Sequence, residues 1–271
     1  MPFFVGSRGL VFHQSWLPDG TVRGVVVFVH GYGEHSGLYE PLARRLTYDG
    51  IAVHALDTVG HGRSDGERAV ITSWDHLVDD ARQLANLARA QHPGAPLVLA
   101  GHSGGGLAAF LLAQRSPQLA VALVVSAPPL QRLEWIDAEL ASGAAESPAG
   151  DPTEALSTHP GYVHALLHDP LTWKGGFRRE TLLAAQDAWS AVADGVAAGR
   201  PDVPVLFVHG GSDPVVPIGV SRSVAARLPR ATVHEFPNDL HDVLNEHDRD
   251  AVHEVVAEFV TSAVALTTVA R

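Results

Sequence analysis

Cysteine is absent from all 271 residues. Neither a disulfide framework nor a thiolate metal site can exist, and the redox compartment leaves no mark on the chain. Positive charge is scarce, with 19 Lys and Arg against 30 Asp and Glu and a formal net charge of −11. Phosphate backbones are bound by clustered cations, so nucleic acid is excluded as a partner. No apolar run reaches the roughly 18 residues that a membrane-spanning helix needs. The opening Met-Pro-Phe-Phe-Val-Gly-Ser-Arg-Gly lacks the basic start and apolar core of a signal peptide, so the expectation is a cytoplasmic protein. Sixteen histidines raise the question of a metal. His164 and His168 stand one helical turn apart, but there is no H-E-x-x-H and no carboxylate completing a site, so neither a metal nor a cofactor is expected. What the chain does have is apolar mass, 46% of its residues. That suffices for a large core in one domain, or in one domain with an insertion.

The densest signal is Leu97-Val-Leu-Ala-Gly-His-Ser-Gly-Gly-Gly106. An apolar strand-like run enters it and an Ala/Leu-rich helical run, Leu107 to Gln114, leaves it. Between them lies G-x-S-x-G, which holds a serine on a sharp strand-to-helix turn. Flanking glycines let the backbone fold closely upon itself and force Ser103 into a strained conformation with its hydroxyl outside the sheet. The Gly104 N–H then points to where a carbonyl oxygen would gain charge. A serine nucleophile needs a base, and the base an orienting carboxylate; on the fold that carries this turn they follow in the order Ser, Asp or Glu, His. Asp213 closes the apolar run Val203 to His209 through Gly-Gly-Ser, and His241 follows the strand-like Ala231 to Phe236. Both are placed at the carboxyl ends of strands, where open α/β sheets build their sites. Asp213, His241 and Ser103 are the candidate catalytic residues.

Elsewhere strands and helices alternate. Leu10 to Trp16 and Val22 to Val29 read as strands joined at Pro18-Asp19-Gly20 into an edge hairpin. Leu38 to Tyr48 is helical and stops at Gly50; Ile51 to Leu56 is a strand. Trp74 to Ala90 is an amphipathic helix opened by Thr72-x-x-Asp75 as a capping box, and Val121 to Ser126 is a strand. This alternation predicts a mostly parallel central sheet with helices on both faces. The rhythm breaks between Pro128 and about Pro201, where an Ala/Gly/Ser/Pro-rich patch (141 to 152) adjoins apolar residues such as Trp135, Leu166 and Trp173. A mainly helical cap over the strand ends is expected there, giving core segments 1–128 and 201–271 around an insertion at 129–200. The loop after Val25 to Val29 is where a second oxyanion donor is expected, and the Tyr32 backbone N–H is the candidate. Asp57 and His61, in the Gly-rich loop after the next strand, are read as loop stabilisers.

The motifs H-G-Y-G-E-H-S, A-L-D-x-x-G-H-G-R-S, G-H-S-G-G-G, G-G-S-D-P-V-V-P and L-H-D-V-L-N-E together resemble the monoacylglycerol lipase and lysophospholipase branch of the α/β-hydrolase family, over nearly the whole chain. The resemblance implies a cap over the acyl site and hydrolysis of single-chain lipid esters. It implies Ser103 as nucleophile, Asp213 and His241 as its partners, and Tyr32 and Gly104 as oxyanion donors. The substrate would be a small ester or single-chain lipid, met through transient contact of the cap with a membrane surface. The chain departs from the branch in two places. Gly104 stands where the branch usually has Met, which leads us to expect a wider pocket beside the nucleophile, and the segment from Pro128 to His159 is shorter than usual. A thioesterase or small-ester carboxylesterase would use the same residues; a non-catalytic ligand-binding protein on this fold would typically lose one of them. Ser103 argues against the epoxide hydrolases and dehalogenases that use Asp there.

Overall fold

The computed structural model describes residues 2–269. One eight-stranded sheet organises it. In chain order its strands are β1 (Phe3–Gly6), β2 (Gly9–Trp16), β3 (Gly24–Val29), β4 (Ile51–Leu56), β5 (Leu97–His102), β6 (Ala122–Ser126), β7 (Val205–Gly210) and β8 (Ala231–Phe236). The spatial order is β1-β2-β4-β3-β5-β6-β7-β8; β1, β2 and β4 pair antiparallel and every pairing from β4 onward is parallel. Strands β3 to β7 are buried along their whole length. Two-sided burial explains why they read as continuous apolar runs and not as alternating ones.

Helices α1 (Glu40–Tyr48), α2 (Trp74–Gln91), α3 (Ser103–Arg115), α8 (Gly219–Ala225) and α9 (Arg249–Val269) lie among the strands, and α4 (Glu134–Ser142), α5 (Pro152–Ala155), α6 (Pro160–His168) and α7 (Arg179–Ala197) fill the interval between β6 and β7. One face of the sheet packs α2, α3 and α7 into a core that includes Phe110, Leu84 and Trp189; the other packs α1 and α9 through residues such as Leu46 and Val256. The α/β architecture with helices on both faces is as expected.

Two local expectations are corrected. Leu10–Trp16 and Val22–Val29 do not form a hairpin, because β4 lies between β2 and β3. The actual hairpin joins β1 to β2 with Gly6 opposite Gly9, and Gly9 has φ +132°, open to glycine. The fully buried β3 takes a central place with parallel neighbours, whereas the half-buried β2 suits a place near the edge. The cap of α2 is Ser73 and not Thr72: the Ser73 hydroxyl accepts the Asp75 N–H at 3.2 Å.

Candidate active site

The turn from β5 into α3 holds Ser103 at φ +49°, the left-handed region that a non-glycine residue adopts only under constraint. Its constraint is close packing of the flanking backbone. A Cβ on Gly105 would lie 2.2 Å from the carbonyl oxygens of Val29 and His30, and one on Gly101 2.5 Å from that of Gly105. Only glycine lets α3 start this near to β3. The hydroxyl of Ser103 is thereby presented at the carboxyl edge of the sheet, where two further loops converge.

His241, from the loop after β8, puts Nε2 2.9 Å from Ser103 Oγ and Nδ1 2.7 Å from Asp213 Oδ2. Asp213 comes from the loop after β7. Its carboxylate can only accept, so Nδ1 carries the proton and Nε2 is free to receive one from Ser103. The Asp213 charge is fully solvated by protein: Oδ1 accepts the Val215 and Val216 N–H groups at 2.8 and 2.9 Å, and Oδ2 faces His241 and His209. Burial works to raise the Asp213 pKa, but the His241 charge and the hydrogen bonds from both imidazoles outweigh it and hold it well below the ordinary value. For His241 burial opposes the charged form; the Asp213 charge and hydrogen bond, with Asp242 and Glu34, prevail and raise its pKa above 6.5.

Tyr32 lines the cavity that Ser103 opens into, and Gly104 directly follows Ser103. Gly104 is in the first turn of α3, whose N–H groups have no partner within the helix. Tyr32 sits in the turn after β3, and its ring is fixed by a hydroxyl that donates to Gly176 O and accepts from Arg178 N–H, both at 3.1 Å. The turn itself is set by His30, whose Nδ1 meets Gly31 O at 2.7 Å while Nε2 accepts the Thr58 N–H at 2.9 Å. Burial lowers the His30 pKa against the pull of Asp57, which keeps that tautomer neutral. Asp57 serves the loops as expected, accepting the N–H groups of Ser36 and Arg63 at 2.8 Å.

Ser103 and His241 open into a cavity of about 200 Å³. Its walls include Tyr32 from the core and Leu156, Leu166, Trp173 and Phe177 from the interval between β6 and β7. That interval is tied to the edge by backbone bonds on both sides: His241 and Asp242 donate to Ala155 O and Leu156 O, and Trp173 donates to Gly33 O. The widening expected at Gly104 does not fall in this cavity. Gly104 is buried outside the cavity lining, and a Cβ there would meet Trp74 Cζ2 at 3.3 Å. The indole, donating from Nε1 to Gly104 O at 2.9 Å, already fills the space beside the glycine.

Several participants were not singled out from the sequence. His209 at the end of β7 is fully buried, with Nε2 3.1 Å from Asp213 Oδ2 and 2.8 Å from Val216 O and Nδ1 2.8 Å from Ser221 Oγ. Its place immediately before Gly-Gly-Ser-Asp was the available signal. Glu34, His102, Asp242 and Tyr162 form a buried polar group behind His241, and the first three bring metal-donor atoms within 4.8 Å of one another. Glu34 and Asp242 lie inside quoted motifs; nothing in the sequence marks Tyr162. His164 and His168 have ring centres 4.3 Å apart on the exposed side of α6 and stand outside the cavity lining.

A serine on a strand–helix elbow, hydrogen-bonded through histidine to an aspartate at the edge of a doubly covered parallel sheet, defines an α/β-hydrolase. The family model described as serine aminopeptidase, S33 matches residues 20–248, and the chain belongs to this family of serine hydrolases. It is 33% identical to the monoacylglycerol lipase of Mycolicibacterium smegmatis over 270 residues, 96% of either chain. It is 40% identical to the human monoglyceride lipase over 129 residues, 47% of this chain and 43% of that one. Among solved structures, the monoacylglycerol lipase of Paleococcus ferrophilus superposes with a TM-score of 0.80 at 27% identity, covering 93% of this chain and 99% of that one.

Proposed function

We propose that the chain hydrolyses carboxylic esters of single-chain lipids, monoacylglycerol or lysophospholipid, through an acyl-enzyme on Ser103. His241 takes the Ser103 proton as Oγ attacks the ester carbonyl; Asp213 holds the imidazole in the right tautomer and stabilises its charged form. The Tyr32 and Gly104 N–H groups receive the oxyanion. The His241 proton then goes to the departing alcohol, and water, deprotonated by the same imidazole, cleaves the acyl-enzyme. No step needs a cofactor. The observation that carries this reading is the unbroken hydrogen-bonded series Asp213–His241–Ser103 opening into an apolar-walled cavity.

Residues 129–200 act in this reading as the cap, over a core of 1–128 and 201–271. Support comes from the walls that Leu166, Trp173 and Phe177 give the cavity. Its volume of about 200 Å³ is below that of most ligand sites, which suits one acyl chain better than two. Leu167, 46% exposed at the cavity and on α6, is where the cap would meet a lipid surface. Among the described residues no helix is long and apolar enough to cross a membrane. Similarity to two monoacylglycerol lipases along almost the whole chain favours the glycerol ester over a thioester or short ester.

The test is parallel turnover of a monoacylglycerol, a lysophospholipid, an acyl-CoA and a short p-nitrophenyl ester, with fluorophosphonate labelling of Ser103. The expected result is labelling, with kcat/KM highest on one of the two lipids. A best substrate among the thioester or short ester would overturn the substrate class, and failure to label would overturn the nucleophile and favour a binding protein.

A further inference from the structure

Two carboxyl groups are buried together behind His241: Glu34 is 4% exposed and Asp242 1%. Glu34 lies in the turn that presents Tyr32, and Asp242 directly follows His241. The Tyr162 hydroxyl, from α6, is in close contact with both Glu34 Oε1 and Asp242 Oδ2. Glu34 Oε2 also accepts the Gly31 N–H at 2.8 Å and the Tyr39 hydroxyl at 2.6 Å, and Asp242 Oδ2 the Asn245 amide at 3.1 Å.

The donors in this group do not suffice for two ionised carboxylates. A phenol carries one proton and an ionised carboxylate none. Tyr162 can satisfy one of its two carboxyl contacts as donor, and the other requires a carboxyl O–H that donates back to the phenol oxygen. With both carboxylates bare, the Tyr162 oxygen would instead meet one of them with no proton between, and the buried Asp242 Oδ1 has no hydrogen-bond donor at all. Of the other imidazoles near the pair, His35 turns to Asp169 at 3.2 Å, and the two held by burial supply no cation while His241 is neutral. His102 on β5, with Nε2 3.9 Å from Asp242 Oδ1, is held neutral, burial lowering its pKa to about 3. His30 is held neutral as described, Tyr39 and Tyr162 are phenols raised well above 10, and Asp213, an anion, is hydrogen-bonded to His241 Nδ1 at 2.7 Å.

We propose that Glu34 and Asp242 hold one proton between them, so that the buried pair presents a single negative charge to His241 and thereby sets the pH at which the base becomes active. The proposal rests on the Ser103–His241–Asp213 reading for its effect on rate, though not for the proton itself. Burial raises both carboxyl groups above their ordinary range, and the charge of Asp242 adds to it for Glu34, in agreement with the donor count. A second charge on the pair would favour the imidazolium and take the base out of use. Glu34 and Asp242 are thus positioning residues, acting through His241.

The charge count makes the test sharp. Glu34→Gln and Asp242→Asn each replace a carboxyl by a neutral amide of the same shape. Either variant leaves the total at one negative charge if the proton is shared, and the double variant leaves none. The measurement is the pH profile of kcat/KM, with an infrared spectrum of the wild type for a protonated buried carboxyl. Both single variants are expected to keep the midpoint of the acid limb, with turnover lowered less than about tenfold, and the double variant to move it to lower pH by about one unit. A downward shift in the single variants would mean two ionised carboxylates in the wild type and would overturn the proposal. An unmoved midpoint in the double variant would mean no charge on the pair and would also overturn it. One folded single variant suffices, since the two are equivalent in charge. The infrared band, expected in the wild type and lost in the double variant, reads the proton without any activity; its absence refutes the shared proton even if Ser103 proves not to be the nucleophile.

Discussion

Residue by residue, Ser103, His241, Asp213 and His209 are joined by hydrogen bonds with named partners, and single substitutions therefore have definite consequences. His209 is the plainest case. Its Nε2–H is shared between Asp213 Oδ2 and Val216 O. A hydrogen bond to a charged group contributes roughly 1.5–3 kcal/mol, and sharing places this one at the low end. His209→Leu should lower kcat about tenfold, since about 1.4 kcal/mol corresponds to tenfold. His209→Gln, which can still donate to Asp213, should recover most of it; equal losses in the two variants by steady-state kinetics would show that the hydrogen bond does not matter. The pH dependence is also set at this scale. Only neutral His241 can accept the Ser103 proton, and its pKa is raised above 6.5, so kcat/KM should climb with pH through an apparent value above 6.5. A profile already flat below that value, with chemistry limiting, would contradict a histidine base. At Gly104 the contact with Trp74 reverses the expectation from sequence. Gly104→Met puts its side chain against a hydrogen-bonded indole that must give way by a few tenths of an ångström, and overpacking costs about 1–3 kcal/mol. Straight and branched esters should lose rate alike while the melting temperature falls; a loss confined to branched esters would show a pocket-width effect instead.

Among the elements, those that carry the site were the most legible. Leu97–His102 and Val205–Gly210 are strands where their apolar runs stand, Ala231–Phe236 is the strand read after them, and each delivers its residue within a few positions of its end. For β5 and β7 legibility has a physical source: a strand buried on both faces must be apolar throughout, and a turn under steric compression must be glycine; β8 is only partly buried and carries His234 and Glu235. The strand pairing was not legible. Pro18-Asp19-Gly20 marks a turn, but a turn does not say which strand the chain pairs with after it, and β4 comes from further along the sequence to take the place beside β2. The same limit explains Tyr162, whose role depends on α6 lying over Glu34 and Asp242, more than a hundred positions from one of them. At the start of α2 the hydroxyl of Ser73 caps where Thr72 was expected, one position away. Ser73→Ala should cost about 1 kcal/mol in denaturant unfolding, and Thr72→Ala less; the reverse order would restore the capping box at Thr72.

For the molecule as a whole, the sheet brings the site residues to one edge and the interval between β6 and β7 walls the cavity there. The loops after β3, β5, β7 and β8 meet at one edge because parallel strands end together, and the insertion is bonded to two of those loops by Ala155, Leu156 and Trp173. This wall of the cavity is thus tied to the loops that hold His241 and Tyr32. The central claim is that this assembly turns over single-chain esters by attack of Ser103. It is tested most directly by single-turnover acylation with a monoacylglycerol, comparing the wild type with Ser103→Ala in a sample whose fold is checked by circular dichroism. Removing one hydroxyl oxygen should leave the fold in place and lower the rate by about 10⁴-fold or more, as for other nucleophiles of this type. A folded Ser103→Ala protein that keeps even about a tenth of the wild-type rate, against the loss expected of a nucleophile, would contradict the account.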